Sequence, residues 1–184
     1  GSFITLIKGS ADKSIGTIIF RGGEGGVKDK LSEDIDLSTM GDGMVVLEGG
    51  ATVDANSALK LSAETNTGAR KISLGIDDTT AKTWNTSDFD NIEKMKDLVI
   101  LSKEFKTTLN TLPNDIAGLV IGDDKRTAAT AILNNASTAY NTSIMVKDAA
   151  TLRIEPAGQG EVKVSSMMVN SGGTLVINEG SKLA

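Results

Sequence analysis

The chain has 184 residues, a formal net charge of -5, no cysteine and no histidine. That excludes disulfides and thiol chemistry and removes the commonest general base and the commonest zinc ligand, so triad-type or metal-assisted hydrolysis is not expected. Lysine and arginine are scattered, with no basic stripe of the kind nucleic acid requires, and no apolar run approaches the ~20 residues that span a bilayer.

Aromatic residues make up only 3% of the chain, against 20 glycines and 2 prolines. A core of Val, Ile, Leu and Ala with Gly at frequent turns suits a narrow, regular interior rather than a wide globular one.

From the N-terminus, the dipeptide Gly1-Ser2 carries no fold information, and Phe3 already lies in a strand-like run, FITLIK (3–8). Period-two alternation marks half-buried strands at GTIIF (16–20), MVVLE (44–48), ALKLS (58–62) and RKISLG (70–75), and again at ATLRIE (150–155), GEVKVS (160–165) and GTLVIN (173–178). Turn signals rich in Gly, Asn, Asp and Ser lie between them, such as RGGEGG, MGDG, EGGA, PAGQG and NSGG. Short strands at this spacing predict a sandwich, a barrel or a solenoid.

Internal similarity favours the solenoid. Thr151-Leu152-Arg153-Ile154 aligns with Thr174-Leu175-Val176-Ile177. The space between holds about three short strands in ~20–25 residues, as one coil of a parallel β-helix does. VDANSAL (53–59) and INEGSKL (177–183) echo one another in the same way. The chain stops soon after a new strand starts at Ser181. Both ends are therefore expected to be cut from a longer protein whose next coil completes that strand.

Between Asp77 and about Tyr140 the alternation fades. Ser87 or Asp88 is placed to cap a helix in which Phe89, Ile92, Met95, Val99, Leu101 or Ser102, and Phe105 recur every three or four residues. After a strand-like AGLVIG (117–122), Asp123 or Asp124 is placed to cap a second, Ala-rich helix carrying Ala128, Ala129, Ile132, Leu133 and Ala136. The expected organisation is solenoid coils over 3–76, an α-containing insert over 77–142, and solenoid coils again over 143–184.

Candidate chemical motifs fail on inspection. RGGEGGVKDK (21–30) lacks the Gly-Lys-Ser/Thr ending that brings a hydroxyl to magnesium, so it reads as a loop. Asp77-Asp78, Asp123-Asp124 and Glu33 to Asp36 lack calcium-loop spacing. Asn85, Asn135 and Asn141 each open a glycosylation triplet of a kind that arises by chance in an Asn/Thr-rich chain. Met167-Met168 reads as core filler. No catalytic residue, metal ligand or cofactor is assigned.

The run Gly172-Gly173-Thr174-Leu175-Val176-Ile177-Asn178-Glu179-Gly180-Ser181-Lys182-Leu183, preceded by ATLRIE and GEVKVSS, resembles the degenerate repeats of passenger domains of bacterial type V secretion autotransporters. The likeness extends over 149–184, in part over 44–76, and not over 77–140. It implies a right-handed parallel β-helix displayed on the bacterial surface, in a parent protein anchored by a C-terminal barrel. It also implies that insertions can carry function. The protease branch of that family has a Gly-Asp-Ser-Gly-type nucleophile motif. Gly41-Asp42-Gly43-Met44 has glycine where the serine should stand, so no enzyme activity is expected.

The expected function is adhesion: binding of a host or bacterial cell-surface protein or glycan, with no nucleic-acid partner and no membrane contact by this segment. The competing reading is a polysaccharide-binding or -cleaving β-helix, as in phage tailspikes and lyases. Trp84, Phe89, Lys94, Lys103 and Tyr140, all in the expected insert, form the candidate partner-binding region.

Overall fold

The computed structural model describes residues 16–21, 30–31, 43–49, 52–53, 72–78, 80–89, 95–103, 106–113 and 116–184. The expected strands FITLIK and ALKLS lie outside them, as do Glu33 to Asp36.

Sixteen short strands are described: β1 Gly16–Arg21, β2 Lys30–Leu31, β3 Gly43–Glu48, β4 Thr52–Val53, β5 Ile72–Asp77, β6 Lys82–Trp84, β7 Asp97–Ile100, β8 Thr107–Leu109, β9 Gly118–Ile121, β10 Thr130–Leu133, β11 Tyr140–Val146, β12 Thr151–Ile154, β13 Glu161–Val162, β14 Val164–Val169, β15 Thr174–Ile177 and β16 Lys182–Leu183. All pairings among them are parallel. One sheet stacks seven strands in the order β1-β3-β5-β7-β9-β11-β14, and a second stacks five in the order β15-β12-β10-β8-β6. The pairs β13-β16 and β2-β4 form two smaller sheets. Successive strands of one sheet come from successive coils, so the architecture is the expected β-solenoid. The repeat read from the sequence is the spatial register itself: Thr151 pairs with Thr174, Leu152 with Leu175, Arg153 with Val176 and Ile154 with Ile177.

The core is a set of files running up the stack. Val45, Leu74, Leu98, Leu119 and Ile144 lie one above another in the large sheet, beside Leu47, Ile76, Ile100, Ile121 and Val146. Trp84, Leu109, Leu133 and Ile154 form the facing file in the second sheet. All of these are buried in one apolar cluster. Each such side chain contributes about 1.5–3 kcal/mol on burial. The rungs lie ~4.8 Å apart. Ladders continue through the corners: Asn110 Nδ2 donates to Asn85 Oδ1 (2.8 Å), and the Thr86 and Thr111 hydroxyls are 2.8 Å apart.

The α-containing insert is corrected by this topology. Within 77–142, β6 to β10 and the start of β11 are rungs of the same two sheets, and they pair in register with coils before and after. Asp97–Ile100 and Thr107–Leu109 are strands where the first helix was expected, and Thr130–Leu133 is a strand where the second was expected. The only helical turns described are two 3-10 turns, Thr86–Asp88 and Ala157–Gln159. Ile92 and Phe105 of the expected stripe lie outside the described residues. The physical cause is a short run that is apolar on both faces. Leu98 and Ile100 face the core while Val99, itself buried, points to the opposite side of the sheet, and such a run satisfies a helical template as well as a strand one. Ala131 is favoured in a helix by propensity, but here it fills a narrow layer between Thr107 and Leu152, and tertiary packing overrides propensity.

Asp123 caps no helix. Its Oδ1 accepts from the backbone N–H of Lys125 (3.0 Å) and Thr127 (3.1 Å), and its Oδ2 accepts from the Thr127 hydroxyl (2.7 Å). It closes the corner between β9 and β10.

Candidate functional site

The aromatic residues expected to meet a partner form part of the interior. Trp84 is 1% exposed and stacks on buried Phe89, with ring centroids 5.3 Å apart and planes 17° apart. Its indole N–H donates to Asp78 Oδ2 (2.9 Å), and Lys82 Nζ lies 3.6 Å from the ring centroid. Tyr140 is 2% exposed; its hydroxyl donates to the Leu109 carbonyl (2.6 Å) and accepts from the Asn135 N–H (3.0 Å). Burial raises the Tyr140 pKa, against the lowering effect of the Asn135 and Asn134 backbone groups. These three side chains join neighbouring rungs and cannot form a contact surface. Lys103 is exposed, and Lys94 lies outside the described residues.

The solvent side of the seven-stranded sheet offers a different site. Here the outward positions also form files. Asp97, Gly118, Ser143 and Ser166 are stacked in register, next to Val99, Val120, Met145 and Met168. On the earlier coils the same two positions are held by Met44 and Ser73, and by Val46 and Gly75. A shallow trough of about 560 Å³ lies over these files, with Lys96, Asp123, Asp124 and Lys147 among the residues at its margins.

On three successive rungs the floor is set by small residues, Gly118, Ser143 and Ser166. Gly118 decides its shape: a Cβ there would lie 2.6 Å from Asp97 Oδ1. Only glycine therefore lets the Asp97 carboxylate lie across the next rung. Asp97 has no hydrogen-bond or ion-pair partner among the described residues. At the margin, Lys147 Nζ is paired with Asp124 Oδ1 (2.8 Å). Burial opposes ionisation of Asp123, but the Thr127 and Lys125 hydrogen bonds and the Lys125 charge outweigh it and hold its carboxyl below the ordinary range.

Sequence reasoning missed this trough, although a signal for it exists. Asp97-Leu98-Val99-Ile100, Gly118-Leu119-Val120-Ile121, Ser143-Ile144-Met145-Val146 and Ser166-Met167-Met168-Val169 are one tetrapeptide pattern: a small or polar residue followed by three apolar ones. Aligned, they place the first and third residues outward on four consecutive rungs. Among the described residues, no group of three or more acidic side chains is placed to hold a metal ion.

Comparison with protein-family models, with curated proteins and with solved structures finds no match for this chain.

Proposed function

We propose that the chain is a segment of a bacterial surface-displayed, autotransporter-type passenger that binds a component of a host or partner cell without catalysis. On this reading the trough over β7, β9, β11 and β14 is the contact surface. The solenoid architecture and the repeat motif of its last coil, Gly172 to Leu183, support the passenger reading. The trough carries the binding reading: it is open, crosses several rungs, and is lined by small hydroxyls, thioethers and one unpartnered carboxylate on rigid strands. A rigid ladder that presents an open face suits a binding stalk, because binding loses little conformational entropy when the surface is already ordered.

The test is attachment of beads coated with the protein to a panel of host and bacterial cells. Ser143 is exposed on the trough floor, so Ser143→Arg fills the trough without entering the core. Attachment by the parent chain and its loss in Ser143→Arg, with an unchanged melting temperature, supports the reading. Equal attachment by both removes the trough from the function. Release of oligosaccharide fragments from a glycan panel would replace this reading with the lyase-like one.

A further inference from the structure

We infer that the trough receives an extended cationic peptide segment, one lysine or arginine of which sets its charged head on Asp97 and its aliphatic stem on the next rung at Val120, while the residues that follow lie on Met145 and Met168. This rests on the reading of the trough as the contact surface and names the ligand class for it.

The argument is one of chemistry and length. From Met44 on β3 to Met168 on β14 the trough crosses six rungs, which at ~4.8 Å per step is about 24 Å. An extended peptide rises ~3.4 Å per residue, so about seven residues cover that length. The two outward files differ in character. One carries Asp97 with the Ser143 and Ser166 hydroxyls, and the other carries Val120, Met145 and Met168. A lysine or arginine side chain has the same division, an apolar stem with a cationic head. Methionine is unbranched and polarisable, so Met145 and Met168, two and three rungs from Asp97, adapt to the residues that follow along the segment. Asp97 has no partner of its own among the described residues, and Gly118 keeps its carboxylate flat and accessible on the floor. Lys147 and Asp124 are paired with one another, so an anionic ligand would meet Asp97 and Asp123 against Lys96. A glycan would find no aromatic platform among the lining residues.

The experiment is fluorescence anisotropy with three end-blocked, dye-labelled peptides of alternating sequence, Lys-Thr, Gln-Thr and Glu-Thr, against the whole chain. The Lys-Thr peptide binds most tightly, and its affinity falls as salt rises. Asp97→Asn weakens it by about tenfold, as loss of a charge-assisted hydrogen bond does. Gly118→Ala weakens it too, by displacing the carboxylate. Lys96→Gln strengthens it, because the rim loses a like charge. Circular dichroism melts confirm that each variant is folded. Equal binding of the Gln-Thr peptide, no binding of the Lys-Thr peptide, or an Asp97→Asn variant that binds as well as the parent overturns the inference. If cells are still captured through the trough in the bead assay, the contact-surface reading survives that failure.

Discussion

Asp77 lies across the ladder from Glu48, one carboxylate facing another on adjacent rungs. Burial raises its pKa, Glu48 and Asp78 add to the rise, and Lys103 opposes it. A carboxyl that titrates higher in the folded chain than in the unfolded one favours the protonated fold. Its ionised form therefore subtracts stability at neutral pH, and that loss is relieved as pH falls through the folded-state pKa. Asp77→Asn should raise the neutral-pH melting temperature and flatten the local gain in stability on mild acidification, both read by denaturation at a series of pH values. Asp123 has the opposite sign: its contribution is present above the unfolded pKa and is lost as pH falls through the lowered folded one. Trp84 makes the other residue-scale prediction. It is a core rung residue, so Trp84→Ala should cost about 3–5 kcal/mol in chemical denaturation. It should leave trough binding by the remaining folded fraction unchanged. The burial of Trp84 could not be read from the sequence. An aromatic in a segment with faded alternation suits a contact surface as well as a core, and only the stacking of Trp84 on Leu109 in the ladder decides between them.

At the scale of elements, the outer coils were legible because their strands alternate cleanly and repeat. The pairing of Thr151–Ile154 with Thr174–Ile177 is the same 23-residue offset visible in the string. Of the middle coils, AGLVIG was legible as a strand and is β9, but Asp97–Ile100 and Thr130–Leu133 were not, because apolar residues on both faces remove the period-two signal. In Asp97–Ile100 the trough is the reason for that second apolar face. The feature that hid this strand therefore also makes the candidate site. Corners follow the same coil-to-coil equivalence. Ala149 and Gly172 stand three residues past the paired Val146 and Val169, and both adopt left-handed backbone, with φ of 70° and 82°. Alanine is strained there and glycine is not. Ala149→Gly should raise stability by about 0.5–1 kcal/mol, the relief of left-handed strain exceeding the unfolded-state entropy that glycine adds. A loss of stability in urea denaturation would contradict the equivalence of the two corners.

For the whole molecule, stability is the sum of coils and of the interfaces between neighbouring coils. The core files run without interruption from β3 to β11, and the fully buried Ser102 hydroxyl, 2.6 Å from that of Thr107 in its own coil, accepts from the Asp78 N–H of the coil before (3.1 Å). Exposure of large apolar side chains is concentrated on the last coil, where Met168 is 59% exposed and Val169 and Ile177 also face solvent. A central coil therefore loses two neighbours when its core is cut, and the last coil loses one. Leu133→Ala should cost about 2–5 kcal/mol, and Ile177→Ala distinctly less, in the same denaturation assay. The functional account depends on this continuity, since the trough exists only if β7 and β9 are rungs between β5 and β11.

Inter-strand nuclear Overhauser effects measured across residues 95–146 of the isotope-labelled chain test that claim most directly. The account predicts backbone contacts between Val99 and Val120, between Val120 and Met145, and between Leu109 and Leu133, in parallel register. A run of sequential i to i+3 contacts through 97–109 or 124–136, with those cross-rung contacts missing, would contradict it and restore a helical insert.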